Sequence, residues 1–199
     1  MIPKDKFNKN FFSSGWYKNY QELLAEWVKP VARRIYSILK TKPRAKILDV
    51  GCGFGDLLAE LQNKYHFQVE GLEYSSDAIK RADQTIRKKI KNGSILKLPF
   101  QKNSFDVVVC FDVVSYLTLE ETAKAIKNLV KVSKNYIFFS TVYRHSIWAS
   151  QKLNPDKLRV TTLSQKDCIN LFSQNRAKFI KKFYGENGGD ILVFKKNQK

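Results

Sequence analysis

The residues that point most clearly to chemistry form a glycine-rich turn, in which Gly51, Gly53 and Gly55 follow a run over 47–50 that is typical of a buried β-strand. Glycines between a strand and a helix let a ligand approach the backbone N–H groups and the positive helix end without a Cβ in the way. A dinucleotide-binding fingerprint would place its third glycine at position 56, where the chain has Asp56. The spacing therefore leaves open which nucleotide is bound, and a tight turn alone would also need glycine.

Two acidic residues flank this turn and narrow the choice of ligand. Glu73 ends the next predicted strand, where an acid in a βαβ unit can accept hydrogen bonds from both hydroxyls of a ribose. Asp49 lies two residues before the first glycine, and its carboxylate would repel a pyrophosphate and attract a cation. Together they favour a ligand that carries a ribose and a positive charge.

The elements that must position these residues alternate between strand and helix patterns. We predict helices over 56–65, 75–89 and 119–132, and strands over 46–50, 67–73, 93–96, 105–111 and 135–141. Strands separated by helices imply right-handed crossovers and a parallel sheet. A helix over 164–174 then leads to a hairpin over 176–196 with the short link "ENGG", so the last strand should be antiparallel.

The glycine-rich turn resembles the first motif of the class I S-adenosylmethionine-dependent methyltransferases. "DVGCGFGDLL" matches their acid-x-G-x-G-x-G pattern, "GLEYSSDAI" is similar to their second motif, and "NGSILKLPFQKNSFDVVVCFDVVSYL" resembles their third and fourth motifs. The resemblance implies an α/β, Rossmann-like sheet of seven strands, mostly parallel with an antiparallel last strand, in three α/β/α layers. It also implies S-adenosylmethionine as cofactor and S-adenosylhomocysteine as product.

The resemblance assigns cofactor roles to individual residues. Asp49 would meet the methionine ammonium, Glu73 the ribose hydroxyls and Tyr74 the adenine. The other residues that it implies for the cofactor are Tyr17, Tyr20, Gly51, Cys52, Gly53, Gly55, Ser94, Ile95, Phe111 and Asp112. Ser94 departs from the pattern, because many family members carry an aspartate there, and the usual Pro-Gly-Gly turn before the fifth strand is replaced by "VSKNY".

Candidates for catalysis and acceptor binding lie on loops after the predicted strands, where ligands bind in open α/β sheets. A general base is needed only if the acceptor holds its proton, and the candidates are Asp112, Tyr116 and His145. Each has an alternative, since Asp112 could orient the cofactor, Tyr116 could pack under a helix and His145 could be exposed. The long connection over 141–167 is predicted to be a substrate lid, in which the acceptor candidates are Tyr143, Arg144, Trp148 and Arg159.

Composition sets the remaining expectations. The 199 residues fit one domain over 1–199, with an N-terminal aromatic segment and helical lid over 1–40 and a cofactor-binding core over 46–140. Three scattered cysteines predict neither disulfides nor a metal site. No apolar stretch is long enough for a bilayer and the start does not resemble a signal peptide, so we expect a cytoplasmic protein without membrane contact.

The net charge of +18 raises the alternative of a nucleic-acid partner. Lysines far outnumber arginines and are spread along the chain, which favours a solvated lysine-rich surface. We therefore predict a methyltransferase that modifies oxygen or nitrogen of a small molecule, sugar-containing acceptors included. The alternatives are an RNA methyltransferase and a non-catalytic cofactor-binding module or partner subunit, and the oligomeric state is left open.

Overall fold

The computed structural model of the protein describes residues 2–13, 20–146, 149, 156–184 and 189–197. The chain divides into two compact units. We call Pro3–Ser94 the N-terminal unit, and Ile95–Lys199 with Met1–Ile2 the C-terminal unit.

The described residues include the strands β1 (Lys46–Val50), β2 (Gln68–Glu73), β3 (Ile90–Asn92), β4 (Phe105–Phe111), β5 (Ser133–Ser140), β6 (Ala177–Phe183) and β7 (Ile191–Lys196). They form a seven-stranded sheet in the order β3-β2-β1-β4-β5-β7-β6. The helices are α1 (Tyr20–Leu39), α2 (Asp56–Tyr65), α3 (Ser76–Arg81), α4 (Gln84–Arg87), α5 (Leu119–Val132) and α6 (Gln165–Gln174). The predicted seven-stranded, mostly parallel α/β fold is confirmed.

In the N-terminal unit, three parallel strands bring the glycine-rich turn and Glu73 to the same sheet edge. The β1–β2 register pairs Val50 with Leu72, and the β2–β3 register pairs Glu73 with Asn92. Because the carboxyl ends of parallel strands meet at one edge, the turn after β1 lies beside the end of β2.

Helix α1 packs its apolar face against this unit and contacts α2, with the rings of Tyr36 and Tyr65 stacked at 4.8 Å. Helical spacing accounts for the buried face, which is formed by Val28, Val31, Ala32, Ile35 and Leu39. Pro30 lies inside this helix, which continues through it to Leu39.

Two predictions for residues 75–96 are wrong. The single helix expected over 75–89 is two short helices, because Ala82 is extended and Asp83 caps α4 by accepting a hydrogen bond from the Thr85 backbone N–H at 2.8 Å. The strand expected over 93–96 lies earlier, at Ile90–Asn92, and residues 95–97 form a 3₁₀ turn instead. Pairing with β2, a contact between distant parts of the chain, decides the position of β3.

In the C-terminal unit, β4 pairs with β5 in parallel, and β7 pairs antiparallel with β5 and β6. The antiparallel last strand is therefore confirmed. Stacked rings of Phe172 and Phe194, 3.9 Å apart, join α6 to β7 in the core of this unit.

The side chain of Lys196 links β7 to the C-terminal end of α5 by hydrogen bonds. Lys196, the last residue of β7, donates from Nζ to the carbonyl oxygens of Val130 at 2.6 Å and Ser133 at 2.8 Å, and to Asn103 Oδ1 at 2.7 Å. A lysine at a helix C-terminus satisfies carbonyls that lack helical partners, so it holds β7 to the end of α5. Among the described helices, none is both long and apolar enough to cross a bilayer.

Candidate active site

The glycine-rich turn has a backbone that only glycine adopts easily. Gly51, Gly53 and Gly55 all have positive φ, at 79°, 54° and 82°. Gly55 is the left-handed N-cap of α2, and a Cβ built on it would lie 2.6 Å from Cγ2 of Ile86. The displaced third glycine is thus the cap itself, which makes Asp56 the first residue of the helix.

Glu73 connects this turn to the start of α3. Its Oε2 accepts a hydrogen bond from the Gly53 backbone N–H at 2.9 Å, and its Oε1 accepts one from the Ser75 N–H at 2.7 Å. Each carboxylate oxygen has two acceptor positions, so each retains capacity for one further donor such as a hydroxyl.

Asp49 and Glu73 form a buried acidic pair with exposures of 5% and 8%. Burial raises the pKa of Asp49 to about 7, and the negative charge of Glu73 contributes to the shift. Burial also raises the pKa of Glu73, against the lowering effect of the N–H groups of Ser75 and Gly53. Two buried acids of like charge would gain most from a positively charged ligand.

Cys52, between the first two glycines, is not poised as a nucleophile. Burial, together with the charges of Asp49 and Glu73, raises the pKa of its thiol well above the ordinary value. A Cβ on Gly71 would lie 2.7 Å from its sulfur, so Cys52 is packed against the backbone of β2.

Residues 3–13, which we call the N-terminal strap, pack against Tyr74, Ser75 and the ring of Phe54 in the glycine-rich turn. The ring of Phe7 meets Tyr74 edge-on at 6.0 Å, and Phe12 packs on Phe54 at 5.3 Å. The Ser75 hydroxyl donates to the Phe7 carbonyl at 2.5 Å. The strap therefore places aromatic rings next to the residue that the resemblance implies for adenine.

Other predicted cofactor residues occupy separate positions. Ser94 is half-buried just after β3, whereas Tyr17 and the Tyr20 side chain lie outside the described residues. Ile95 begins the C-terminal unit, where its carbonyl accepts a hydrogen bond from Asn128 at 2.9 Å. The sequence missed Asn92, whose side-chain amide donates to the carbonyl oxygens of Glu73 at 2.9 Å and Tyr74 at 3.2 Å.

In the C-terminal unit, the loop after β4 and the segment that begins at residue 156 bring together a second group of charged and polar side chains. Arg159 donates to both carboxylate oxygens of Asp112, at 2.5 and 2.6 Å, and its Nε lies 3.2 Å from Asp156 Oδ2. The Tyr116 hydroxyl donates to the same Asp156 oxygen at 2.6 Å, and Ser115 Oγ donates to Asp112 Oδ1 at 3.1 Å. We call these five residues the Arg159 network.

The network joins Asp112 and Tyr116, two of the predicted base candidates, to Arg159, a predicted acceptor candidate. Sequence reasoning missed Asp156 and Ser115. The only local signal was an Asp and an Arg three positions apart, which is common on protein surfaces.

The remaining candidates that the structure describes are not among the five residues of this network. Tyr143 is buried, and burial raises the pKa of its hydroxyl. Arg144 and His145 are exposed, with Arg144 3.6 Å from Asp167. Phe111 is half-buried at the end of β4, and Trp148 lies outside the described residues.

Comparison with known proteins identifies the family. Residues 47–135, which include the glycine-rich turn, Glu73 and the loop after β4, match the family described as "Methyltransferase domain". Over these residues the chain matches a methyltransferase family, in agreement with the predicted class I S-adenosylmethionine-dependent type. The resemblance on which the site was predicted is therefore confirmed, whereas the roles of individual residues stay predictions.

The curated proteins that this chain resembles include an N-methyltransferase and an O-methyltransferase. The chain is 30% identical to the Ajmaline N-methyltransferase of Rauvolfia serpentina over 129 residues, which cover 60% of this chain and 43% of that protein. It is 28% identical to the mitochondrial Ubiquinone biosynthesis O-methyltransferase of Saccharomyces cerevisiae over 153 residues, 70% of this chain and 48% of that one. The chain thus spans less than half the length of either relative.

A solved structure shares the fold over nearly the whole chain. The magnesium protoporphyrin IX methyltransferase of Synechocystis PCC 6803, with bound SAH, superposes with a TM-score of 0.77 and 17% identity over 98% of each chain. At this identity the likeness establishes the fold alone.

Proposed function

We propose that the protein transfers a methyl group from S-adenosylmethionine to an oxygen or nitrogen of a small-molecule acceptor. The observation that carries the proposal is the buried pair Asp49 and Glu73 at the glycine-rich turn. Family membership supports the reaction type, and the names of the N- and O-methylating relatives support a small acceptor. Sugar-containing acceptors stay a prediction.

The side chains at the glycine-rich turn fit this cofactor. Two buried carboxyls with raised pKa favour a ligand that brings a positive charge, which the methionine ammonium and the sulfonium supply. The remaining acceptor positions of Glu73 suit the two hydroxyls of a ribose. Because Gly51 and Gly53 have no Cβ, the methionine part of the cofactor can lie close to their backbone. In this assignment Asp49 holds the ammonium, Glu73 the ribose and Tyr74 the adenine.

The bound cofactor would supply an activated methyl group whose transfer leaves a neutral thioether. The protein then has to align the acceptor lone pair with the methyl group and exclude water. Both oxygens of Asp112 already accept hydrogen bonds from Arg159, and the Tyr116 proton is directed to Asp156. These contacts favour roles in orientation rather than proton removal for Asp112 and Tyr116.

Transfer of a labelled methyl group tests the proposal. The protein is incubated with methyl-labelled cofactor and a cell extract separated into small molecules, RNA and protein. We expect label in the small-molecule fraction, and none from a Glu73→Ala variant. The matched Glu70→Ala variant, which removes an acid on the same strand whose side chain is 43% exposed, should label normally.

The other outcomes distinguish the alternatives. Label in RNA that is lost steeply with salt would favour the RNA methyltransferase suggested by the net charge of +18. Tight binding of S-adenosylhomocysteine with no label in any fraction would favour a non-catalytic binding module.

A further inference from the structure

We propose that Arg159 and Asp156 are positioning residues, which fix Asp112 and Tyr116 at the end of β4, and that Arg159 does not itself bind the acceptor. The effect on methyl transfer rests on the proposed function. The contacts that make up the Arg159 network do not depend on it.

The guanidinium of Arg159 is used within the protein. Two of its nitrogens bind Asp112 in the paired geometry that guanidinium and carboxylate favour, and a third lies 3.2 Å from Asp156. Its Nη1 also donates to Ser115 Oγ at 3.2 Å, and its Cζ lies 5.5 Å from the centre of the Tyr116 ring. With a side-chain exposure of 14%, Arg159 presents little of this charge to a ligand.

Asp156 is the inner member of the network. Its side chain is 3% exposed. Its Oδ2 accepts the hydrogen bond from the Tyr116 hydroxyl and lies 3.2 Å from Arg159 Nε. The other oxygen accepts the Leu158 backbone N–H at 3.0 Å. A carboxylate this buried requires a cation, so Asp156 and Arg159 depend on each other.

Asp112 needs external support for its conformation. Its φ of 54° lies in the left-handed region, which residues other than glycine seldom adopt. Its backbone N–H bonds to the Ser140 carbonyl at 2.9 Å, and the paired contact with Arg159 fixes the side chain. Because 40% of that side chain is exposed, the carboxylate is both held and accessible to a ligand.

The segment that carries Arg159 has a second, independent attachment. The backbone N–H groups of Val160 and Thr161 donate to the Ser115 carbonyl at 2.8 and 3.1 Å, and the Thr161 hydroxyl donates to the Leu117 carbonyl at 2.5 Å. Loss of the guanidinium should therefore leave the segment in place and release mainly Asp112 and Tyr116. This makes a specific test feasible.

The first test is hydrogen exchange of the backbone amides of residues 112–118 in the full chain. The variants are Arg159→Met, Arg159→Met with Asp156→Asn so that no buried charge is left alone, and Lys157→Met as a control with an exposed cation two residues away. We expect exchange at least about tenfold faster in both Arg159 variants and unchanged rates in Lys157→Met. Equal rates in Arg159→Met and Lys157→Met would overturn the proposal.

The second test is a double-mutant cycle between Arg159→Met and Asp112→Asn, read as transfer of labelled methyl groups to whichever fraction the wild type labels. If Arg159 acts through Asp112, the double variant should be no slower than the slower single variant, and Arg159→Lys should restore part of the rate. Losses that multiply would show that Arg159 acts independently of Asp112 and would overturn the proposed positioning of Asp112 by Arg159. A wild type that labels nothing would count against the proposed function, and the exchange test would still decide the positioning role.

Discussion

The Glu73 carboxylate bonds to the backbone N–H of Gly53 across 2.9 Å, joining the end of one strand to the glycine-rich turn after its neighbour. Its second oxygen accepts the Ser75 N–H. The residue proposed to hold the ribose therefore also fixes the loops on either side of it. Binding and local stability depend on the same side chain.

Glu73→Gln should destabilise the protein. A glutamine amide presents one donor group where Glu73 has an acceptor, so one of the two backbone N–H groups loses its partner in a buried position. We expect a loss of about 1–3 kcal/mol in the free energy of unfolding, measured in urea. Glu70→Gln, on the same strand but with 43% of its side chain exposed, should change the free energy of unfolding by less than about 0.5 kcal/mol, and an equal effect of the two variants would contradict this reading.

Asp49 should make stability depend on pH. Burial raises its pKa in the folded protein to about 7 from an ordinary value of 3.8. Between these values the folded state binds more protons than the unfolded state, so stability falls as the pH rises, by at most about 1.4 kcal/mol per pH unit.

Asp49→Asn removes this titration. Its free energy of unfolding should therefore vary less between about pH 4.5 and 7 than that of the wild type, in urea unfolding at several pH values. Glu70→Gln serves as the control and should follow the wild type. Parallel curves for the wild type and Asp49→Asn would exclude Asp49 as the source.

Gly55→Ala should be among the most damaging substitutions in the turn. Its φ of 82° strains any L side chain, and the new methyl group would meet Ile86 at 2.6 Å. Strain and overpacking together suggest a loss of about 2–4 kcal/mol, visible as a lower urea midpoint. Gly93→Ala, whose closest contact is the flexible end of Leu72 at 2.9 Å, should cost clearly less. The reverse order would refute the conformational argument.

Lys196→Met should loosen the junction between β7 and α5. The variant leaves the carbonyl oxygens of Val130 and Ser133 without the Nζ donor. We expect a loss of about 1–3 kcal/mol in thermal or urea unfolding. The neighbouring Lys195 is exposed, and Lys195→Met should be nearly neutral. If both variants behave alike, the Lys196 contacts do not stabilise the fold.

The sequence predicted those parts of the structure that depend on local pattern. Strand β4, a run of apolar and β-branched residues, and helix α2, which begins directly after Gly55, have the predicted bounds. The helix break at Ala82 was missed because Asp83 competes as a cap within an otherwise helical pattern. Strand β3 was misplaced because its pairing with β2 is a long-range choice.

The candidate site divides in the same way. The glycines, Asp49 and Glu73 lie within one βαβ unit, and their spacing was enough to find them. Arg159 and Asp112 are separated by 47 positions, so no local pattern could show that they are bonded to each other. Each was predicted alone as an acceptor or base candidate, and only the fold shows the pair.

Calorimetric titration with S-adenosylhomocysteine tests the central claim most directly. We predict that the wild type binds one equivalent, that Glu73→Gln binds at least about tenfold more weakly because an ionised acceptor is lost, and that Glu70→Gln binds within about twofold of the wild type. Circular dichroism confirms beforehand that both variants are folded. Absence of binding by the wild type, or equal affinity in folded Glu73→Gln, would contradict the assignment of the buried acidic pair to the cofactor.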